Sequence, residues 1–549
     1  MSEGSAWDGV AAGAGRPVTV LAGGRVIDPA NGVDRIADVF CVDGRISAVV
    51  PADEADAHRA GASGAVLASG AVLASGAVLA SGAVLASGAV LASGAVLASG
   101  AVGSGAAGGR VEGGATVIVD CRGLIVTPGL IDLHTHVYPG LGDFCVHPDR
   151  AGVDVGVPVV VDGGTSGVRT FGLARAFVEG PTVRTRVLAF LDPCLLYLAT
   201  KDFLAHRLEI AADPRNLDLD ATAATVEAHQ DMIVGFKVRA TVTDDPRTSP
   251  FLEGAKSIAG NLPIMVHLGR YPYTPSLANL DAIAALRPGD IVTHAFRGHS
   301  GILVDDDTAV DGRFAAAVEA GLRLDVGHSG SDFRFAAARA LFDLGYLPTT
   351  ISTDLNLFNT AGPVWSLPET MSKIWALGVD LVDVIAMATA NTAAAIGRSA
   401  QLGSLDVGRD AEVSVLRVET GECSFTDGFE TISHPRRLTP VGCLRGGVWY
   451  KATGQFGPGY RVDSLDSGDL SDDGPGTGSR TPPTETAAAG AAHRPPRSVR
   501  PAPAAASPPA APVFPAVATS PNTPGTTGTT GTTGTTGSPD VPVPTAGRG

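Results

Sequence analysis

The sequence predicts an α/β protein: a (β/α)8 barrel of the TIM type, with a small β domain built from both ends of the chain. Between residues 124 and 400, short apolar runs alternate with longer helical stretches, as is typical of parallel strands joined by helices. Eight such runs recur about every 25–45 residues, enough to close a barrel. A doubly wound open sheet would carry a glycine-rich phosphate turn after its first strand, and the sequence has none there.

These eight apolar runs are the predicted barrel strands. They are Leu130–His136, Val157–Asp162, Val187–Asp192, Ile233–Arg239, Ile264–Leu268, Ile291–His294, Leu322–Val326 and Thr350–Asp354. The predicted barrel domain therefore spans residues 124–400.

Short β-rich segments flank the barrel on both sides and predict an antiparallel module. Its first part is placed at 17–60 and 110–123, and its second part at 401–460. The predicted strands are Val18–Leu21, Arg25–Ile27, Ala37–Val42, Ile46–Val50, Thr116–Asp120, Glu412–Val418 and Val448–Lys451.

Three segments are set apart by their low complexity. Residues 1–16 are a Gly/Ala-rich lead that we expect to be flexible. Residues 61–109 carry no charge and contain six copies of Ser-Gly-Ala-Val-Leu-Ala, which we interpret as an insertion in a surface loop. Residues 461–549 are rich in Pro, Ala and Thr, and their composition predicts a disordered tail.

Composition excludes several classes of function. The chain has 40 Lys and Arg against 56 Asp and Glu, a net charge of −16, so a nucleic-acid partner is not expected. The six cysteines form no Cys-x-x-Cys pair, and the N-terminus lacks the basic and apolar regions of a signal peptide. Gly and Ser dilute the hydrophobicity of the repeat, which argues against a membrane span; a membrane anchor formed by the repeat is a weaker alternative. We therefore expect a cytoplasmic protein with no membrane partner.

Polar residues stand at the C-terminal ends of five predicted strands, where barrels of this kind place their active sites. A His-x-His pair ends the first strand, and alternate residues of a strand share one face. A lone strand histidine is more often a core residue, but a lysine inside an apolar strand is rare because burying an ammonium is costly. Together these residues suit zinc or a similar ion; they are His134, His136, Lys237, His267, His294 and Asp354.

Beyond these residues, three longer stretches carry a resemblance to a known family. They are Gly123-Leu-Ile-Val-Thr-Pro-Gly-Leu-Ile-Asp-Leu-His-Thr-His136 and, late in the chain, Thr389-Ala-Asn-Thr-Ala-Ala-Ala-Ile-Gly397 with Gly403-Ser-Leu-Asp-Val-Gly-Arg-Asp-Ala411. With the polar set, they resemble the amidohydrolase superfamily in its two-metal form, over residues 17–455 without the repeat. The resemblance implies that the split β module is that family's small β-sandwich.

The resemblance also implies a role for each polar residue. His134 and His136 would hold the more buried metal, and His267 with His294 the more exposed one. Lys237 would be carbamylated by CO₂ and bridge both ions, for which zinc is expected. Asp354 would bind the first metal and act as acid and base towards a metal-bridging hydroxide.

Three further residues are candidate substrate contacts. Arg239 shares a strand face with Lys237 and could approach a carboxylate, although a rim salt bridge explains it equally well. Tyr138 could donate to an oxyanion or form a wall. His328, after the seventh strand, could contact the substrate or support another group.

The predicted function is metal-dependent hydrolysis of an amide or ester bond in a small acylated substrate. The segments Asp162–Gly167, Gly235–Arg239 and Asp325–Ser329 look most like the deacetylase-type and dihydroorotase-like subgroup. One alternative is a cyclic amidase of the dihydroorotase or hydantoinase type, although Val137 stands where true dihydroorotases carry an Arg. A second is a catalytically silent binding protein, against which all six ligand positions are filled. The sequence leaves open whether the protein is a homo-oligomer.

Overall fold

The computed structural model describes residues 17–55, 96–98 and 116–457, apart from 198, 202–203, 209, 211–212, 240–248, 269–278 and 299. The predicted lead at 1–16, the predicted tail at 461–549 and nearly all of the repeat lie outside the described residues. Within the repeat, Val96–Ala98 forms a strand that pairs with Thr116–Asp120.

The described residues form eighteen strands. In chain order they are β1 Val18–Asp28, β2 Val33–Val42, β3 Arg45–Pro51, β4 Val96–Ala98, β5 Thr116–Asp120, β6 Ile125–Pro128, β7 Ile131–Thr135, β8 Val159–Gly167, β9 Arg186–Asp192, β10 Ile233–Val238, β11 Ile264–His267, β12 Ile291–Thr293, β13 Leu303–Val304, β14 Ala309–Val310, β15 Arg323–Leu324, β16 Val413–Thr426, β17 Thr431–Arg445 and β18 Val448–Lys451.

Eleven α-helices also lie in the described part of the chain. They are α1 Pro148–Ala151, α2 Phe171–Val178, α3 Leu204–Arg207, α4 Leu219–Ala228, α5 Pro250–Ile258, α6 Asn279–Ala284, α7 Gly312–Glu319, α8 Phe335–Asp343, α9 Leu367–Ala376, α10 Leu381–Met387 and α11 Ala390–Ala395. Local chemistry sets their starts. Before α5, for example, the Ser249 hydroxyl accepts from the Leu252 N–H, and Pro250 occupies a first-turn position that needs no hydrogen bond.

Seven strands form a parallel sheet in the order β15-β12-β11-β10-β9-β8-β7, so seven of the eight predicted barrel strands are present. The eighth run, 350–354, forms no ladder. Instead, Thr350 bridges Asp325 beside β15, and Leu355 bridges Thr135 in β7, both in the parallel sense. The segment therefore contacts both edges of the sheet at isolated points. The protein belongs to the α/β class.

Side-chain hydrogen bonds replace the missing ladder at the eighth run. Asp325 is fully buried and accepts from the hydroxyls of Thr293, Thr350 and Ser352, at 2.7, 2.8 and 2.7 Å. This one carboxylate therefore joins the sixth, seventh and eighth runs.

The remaining long strands form one mixed sheet of nine strands, ordered β18-β17-β16-β6-β1-β2-β3 with β5 and β4 beside β1. The prediction of a purely antiparallel module is wrong, because β1 pairs parallel with β5 and β6. The long chain segment between β3 and β5 allows the chain to re-enter the sheet in the direction of β1. The sheet includes β6, so it extends to Pro128, beyond the predicted boundary at 123.

Three strands of this sheet were not predicted, namely β4, β6 and β17. The β17 strand contains Pro435 and Pro440, which normally argue against a strand inside a sheet because proline cannot donate to a ladder. A register shift in β16 between Val415 and Leu416 lies where β17 pairs through Pro440. The pairing of β17 with β16 and β18 thus outweighs the unfavourable effect of its two prolines.

Among the described residues, no helix combines the length and the apolar character needed to cross a lipid bilayer.

We expect Asp325→Ala to lower the free energy of unfolding by about 3 kcal/mol, because three buried hydroxyls lose their shared acceptor. Thr350→Val removes a single bond to the same carboxylate and should cost about 1 kcal/mol. Urea denaturation followed by tryptophan fluorescence measures both, with chelator present so that bound metal does not contribute. Equal losses in the two variants would contradict a central role for Asp325.

Candidate metal centre and active site

The candidate site is a cavity of about 350 Å³ at the C-terminal ends of the parallel strands. Five of the six predicted metal-binding residues line it, namely His134, His136, Lys237, His267 and Asp354. The sixth, His294, is fully buried behind them, with its ring centroid 5.3 Å from that of His134 and 4.6 Å from that of His267. The structure therefore brings all six together.

A hydrogen-bonded relay fixes the proton of His134. Its Nδ1 lies 3.1 Å from the Thr293 hydroxyl, and that hydroxyl donates its only proton to Asp325. Thr293 can therefore only accept from His134, so Nδ1 carries the proton and Nε2 presents a lone pair to the cavity. Burial and the charge of Lys237 hold the pKa of His134 well below its ordinary value, which keeps the ring neutral.

The same chemistry orients two more imidazoles. His136 Nδ1 lies 2.7 Å from the Thr165 hydroxyl, which donates to Asp162 at 2.7 Å. His294 Nδ1 lies 2.6 Å from the Gly327 carbonyl, which can only accept. Burial lowers the pKa of His294. Each ring thus offers an Nε2 lone pair, the form in which histidine binds a metal ion.

These lone pairs converge on Asp354. Its Oδ1 lies 3.1 Å from His136 Nε2 and 3.5 Å from His134 Nε2, and it accepts no hydrogen bond from the described residues. Lone pairs that face one another in a buried site repel each other unless a proton or a metal ion lies between them. His134, His136 and Asp354 have their ligand atoms within 4.8 Å of one another, so this donor set fits a metal ion.

A second group of possible ligands shares the same carboxylate. His294, Asp332 and Asp354 also place their ligand atoms within 4.8 Å of one another, and His294 Nε2 has no hydrogen-bond partner among the described residues. Sequence reasoning missed Asp332, which lies six residues beyond the seventh predicted strand. His267 adjoins His294 but belongs to neither three-residue group.

Lys237 lies fully buried beside the first group. Its Nζ is 2.7 Å from His134 Nε2 and 3.6 Å from Met265 Sδ. Burial, followed by the charge of Arg239, lowers the pKa of Lys237 to about 7. A substantial fraction of the side chain is therefore an uncharged amine near neutral pH.

Gly163 and Gly164 make room for these ligands. A Cβ on Gly163 would lie 2.1 Å from His134 Cδ2, and one on Gly164 would lie 2.5 Å from Lys237 Cβ. Gly164 also has a φ of +78°, which other residues rarely adopt. The two glycines of the Asp-Gly-Gly-Thr segment are thus needed for close packing against His134 and Lys237.

The structure separates the three predicted substrate contacts. Arg239 lines the cavity, where its Nη1 donates to Asp192 at 2.5 Å and its guanidinium lies 4.0 Å from the centre of the Tyr197 ring. Tyr138 and His328 are fully buried and are not among the described residues that line the cavity. The cavity instead exposes Arg297, which sequence reasoning did not single out.

Arg297 is paired across the cavity wall. Its Nη2 lies 3.1 Å from Asp332 Oδ1, and its Nη1 donates to the Leu268 carbonyl at 2.5 Å. It follows the sixth predicted strand by three residues, and nothing in the local sequence distinguishes it from a surface arginine.

Comparison with known proteins agrees with the predicted family and fold class. The model of the amidohydrolase family matches residues 199–440. A deacetylase of Agrobacterium fabrum (strain C58 / ATCC 33970) is 34% identical over 324 residues, which cover 58% of this chain and 77% of that protein. A deacetylase of Enterococcus faecalis (strain ATCC 700802 / V583) is 29% identical over 338 residues, covering 60% of this chain and 87% of that one.

Solved structures show the same fold. The crystal structure of a dihydroorotase has a TM-score of 0.59 and 25% identity, and covers 81% of this chain and 100% of that one. An adenine deaminase has a TM-score of 0.60 and 23% identity, with 79% and 99% covered. The fold and the relatives define a metal-dependent hydrolase that acts on carbon–nitrogen bonds. The chain belongs to the amidohydrolase family.

We expect Gly163→Ala to lower bound metal and turnover by about 10–100-fold, because the added methyl group displaces the His134 ring. Gly172→Ala, on α2, is the matched control, since its Cβ would meet no described atom within 4 Å. Metal quantification and a thermal melt on the same samples check both variants. Full metal content and normal turnover in Gly163→Ala would contradict the packing role.

Proposed function

We propose that the protein is a deacetylase that removes the acyl group from a small acylated compound. The observation that carries this proposal is the pair of donor groups that share Asp354 at the floor of the cavity. The activity of the curated relatives, which are named deacetylases, supports this chemistry over others in the family.

Two divalent ions, expected to be zinc, would occupy the two donor groups. His134, His136 and Asp354 would hold the first; His294 and His267, with Asp332 beside them, would hold the second. Neutral imidazoles and carboxylates are the ligands that zinc prefers. Ions bound there supply Lewis acidity towards the substrate carbonyl and lower the pKa of water.

Lys237 would bridge the two groups as a carbamate. Its uncharged amine adds to CO₂, and the resulting carbamic acid loses one proton, so a neutral donor becomes an anionic one. The burial of Nζ against His134 and the pKa of about 7 both favour this reaction.

Asp354 would move the proton. Its Oδ1 accepts no hydrogen bond from the described residues and lies at the junction of the two donor groups. The carboxylate accepts a proton from the attacking water and then delivers it to the leaving amine or alcohol. The backbone N–H of Asp354 donates to the His134 carbonyl, and this bond holds Asp354 beside the first barrel strand.

The size and lining of the cavity support a small substrate. A volume of about 350 Å³ suits a small molecule. Arg239 and Arg297 line the cavity, and Phe144 and Phe358 add apolar surface with ring centroids 5.8 Å apart. Arg239 remains the proposed substrate contact from the sequence, and the cavity adds Arg297 to it.

We also infer the finer architecture around the site. The bridges of the eighth run to both edges of the parallel sheet support a closed (β/α)8 barrel. In the mixed sheet, Leu21 and Val39 of one half belong to the same buried cluster as Val415 and Leu444 of the other. This shared core supports a sheet that folds over itself as a small β-sandwich.

A substrate panel tests the function. N-acetyl amino acids and acetylated hydroxy acids should be hydrolysed by the metal-loaded protein, with metal quantified in the same sample and Lys237→Ala as the inactive control. Turnover of dihydroorotate or hydantoins instead would establish the cyclic amidase, which the dihydroorotase likeness favours. No turnover of any compound by a fully loaded protein would contradict the proposed function.

We expect Asp354→Asn to reduce kcat by about 10²–10⁴, the usual contribution of general acid–base catalysis. Asn keeps the size and one ligand oxygen but cannot carry the proton. Bound metal, measured by mass spectrometry, should fall much less than kcat, because the histidines and Lys237 remain. Near-normal kcat with full metal would show that another group moves the proton.

A further inference from the structure

A second buried constellation lies behind the cavity wall. Lys373, on α9, is fully buried, and its Nζ lies 2.9 Å from His328 Nε2. The same ammonium donates to the Pro363 carbonyl at 2.5 Å. His328 Nδ1 in turn lies 2.7 Å from the Ser329 carbonyl, so that nitrogen carries the proton and Nε2 accepts from Lys373. His328 is thus a neutral link between Lys373 and the cavity wall.

The loop held by His328 carries parts of the second donor group. The Gly327 carbonyl, one residue before His328, accepts from His294 Nδ1 and so sets the direction of that ring. Ser329 and Asp332, which follow His328, line the cavity. Movement of His328 would therefore displace both the His294 ring and Asp332.

The loop held by the Pro363 carbonyl supports Asp354. Asn356 and Asn359 donate to the Asp354 carbonyl at 2.9 and 2.8 Å, and Asn356 also lines the cavity. A single ammonium therefore joins the loop after the seventh strand to the loop after the eighth.

Burying the Lys373 ammonium costs desolvation free energy, which indicates that this arrangement does not serve stability alone. Among the described residues, the Lys373 ammonium makes its hydrogen bonds only to neutral acceptors, while Glu369 and Asp427 act on its charge from a distance. Burial lowers the pKa of Lys373 to about 8, so the side chain is still mostly charged at neutral pH. A methionine of similar length would fill this space without the desolvation penalty.

We propose that Lys373 and His328 are positioning residues, which hold the two loops so that His294 and Asp332 stay aligned with the shared carboxylate of Asp354 and can bind the second ion. This inference rests on the two-ion centre of the proposed function. It replaces a direct substrate contact as the role of His328.

The test compares metal affinity in four variants, by competition of zinc against a chromophoric chelator. Lys373→Met should remain folded but bind the weaker of two zinc ions about 10–100-fold less tightly, with the tighter ion within about threefold. His328→Gln keeps an acceptor for Lys373 and should retain more affinity than His328→Asn, which does not reach it. Ser372→Ala, buried on the same helix and bonded to the Leu438 N–H, is the control and should bind both ions normally.

The pattern of affinities decides the outcome. A loss confined to the weaker ion, less than additive when Lys373→Met and His328→Asn are combined, supports the proposal. Normal affinity for both ions in Lys373→Met, or in His328→Asn where the first variant does not fold, overturns it. Equal loss of both ions overturns it as well, because the pair would then maintain the fold as a whole. Wild-type protein that binds no second ion would contradict the proposed function itself.

Discussion

The site depends on where three histidines keep their protons. Asp162 and Asp325 accept hydrogen bonds from the hydroxyls of Thr165 and Thr293. Each hydroxyl has then used its only donor, so it can only accept a hydrogen bond from the imidazole beside it. The Nδ1 atoms are thereby protonated and the Nε2 lone pairs turn into the cavity. Without these buried carboxylates, the rings could flip or ionise, and the facing lone pairs would lose their common direction.

Buried carboxylates also hold the strands of the fold together. Asp325 joins three strand segments, and Asp132 accepts from the N–H and the hydroxyl of Thr353, immediately before Asp354. Side-chain hydrogen bonds thus do at the eighth run what backbone ladders do between neighbouring strands of the parallel sheet. Asp354 itself has a φ of +50° and His294 one of +63°, conformations that a regular strand would not allow. The positive φ of these two residues thus both interrupts the strands and places the two side chains at the site.

Support for the ligands extends outward in layers. The imidazoles contact threonines and a backbone carbonyl, and the threonines contact buried carboxylates. Lys373 on α9 holds the loop of Gly327 through His328. Each layer is buried, so each hydrogen bond has few competing partners from solvent.

The sequence by itself determined the class of fold and all six candidate ligands, because each ligand ends an apolar run and parallel strands end at one edge. It could not determine that β1 has parallel neighbours, since that follows from where the chain re-enters the sheet. Nor did it distinguish Asp332 and Arg297 from other loop residues, or separate Tyr138 and His328 from true cavity residues. Those distinctions depend on contacts between residues tens of positions apart, such as His328 with Lys373, and only the packed chain creates them.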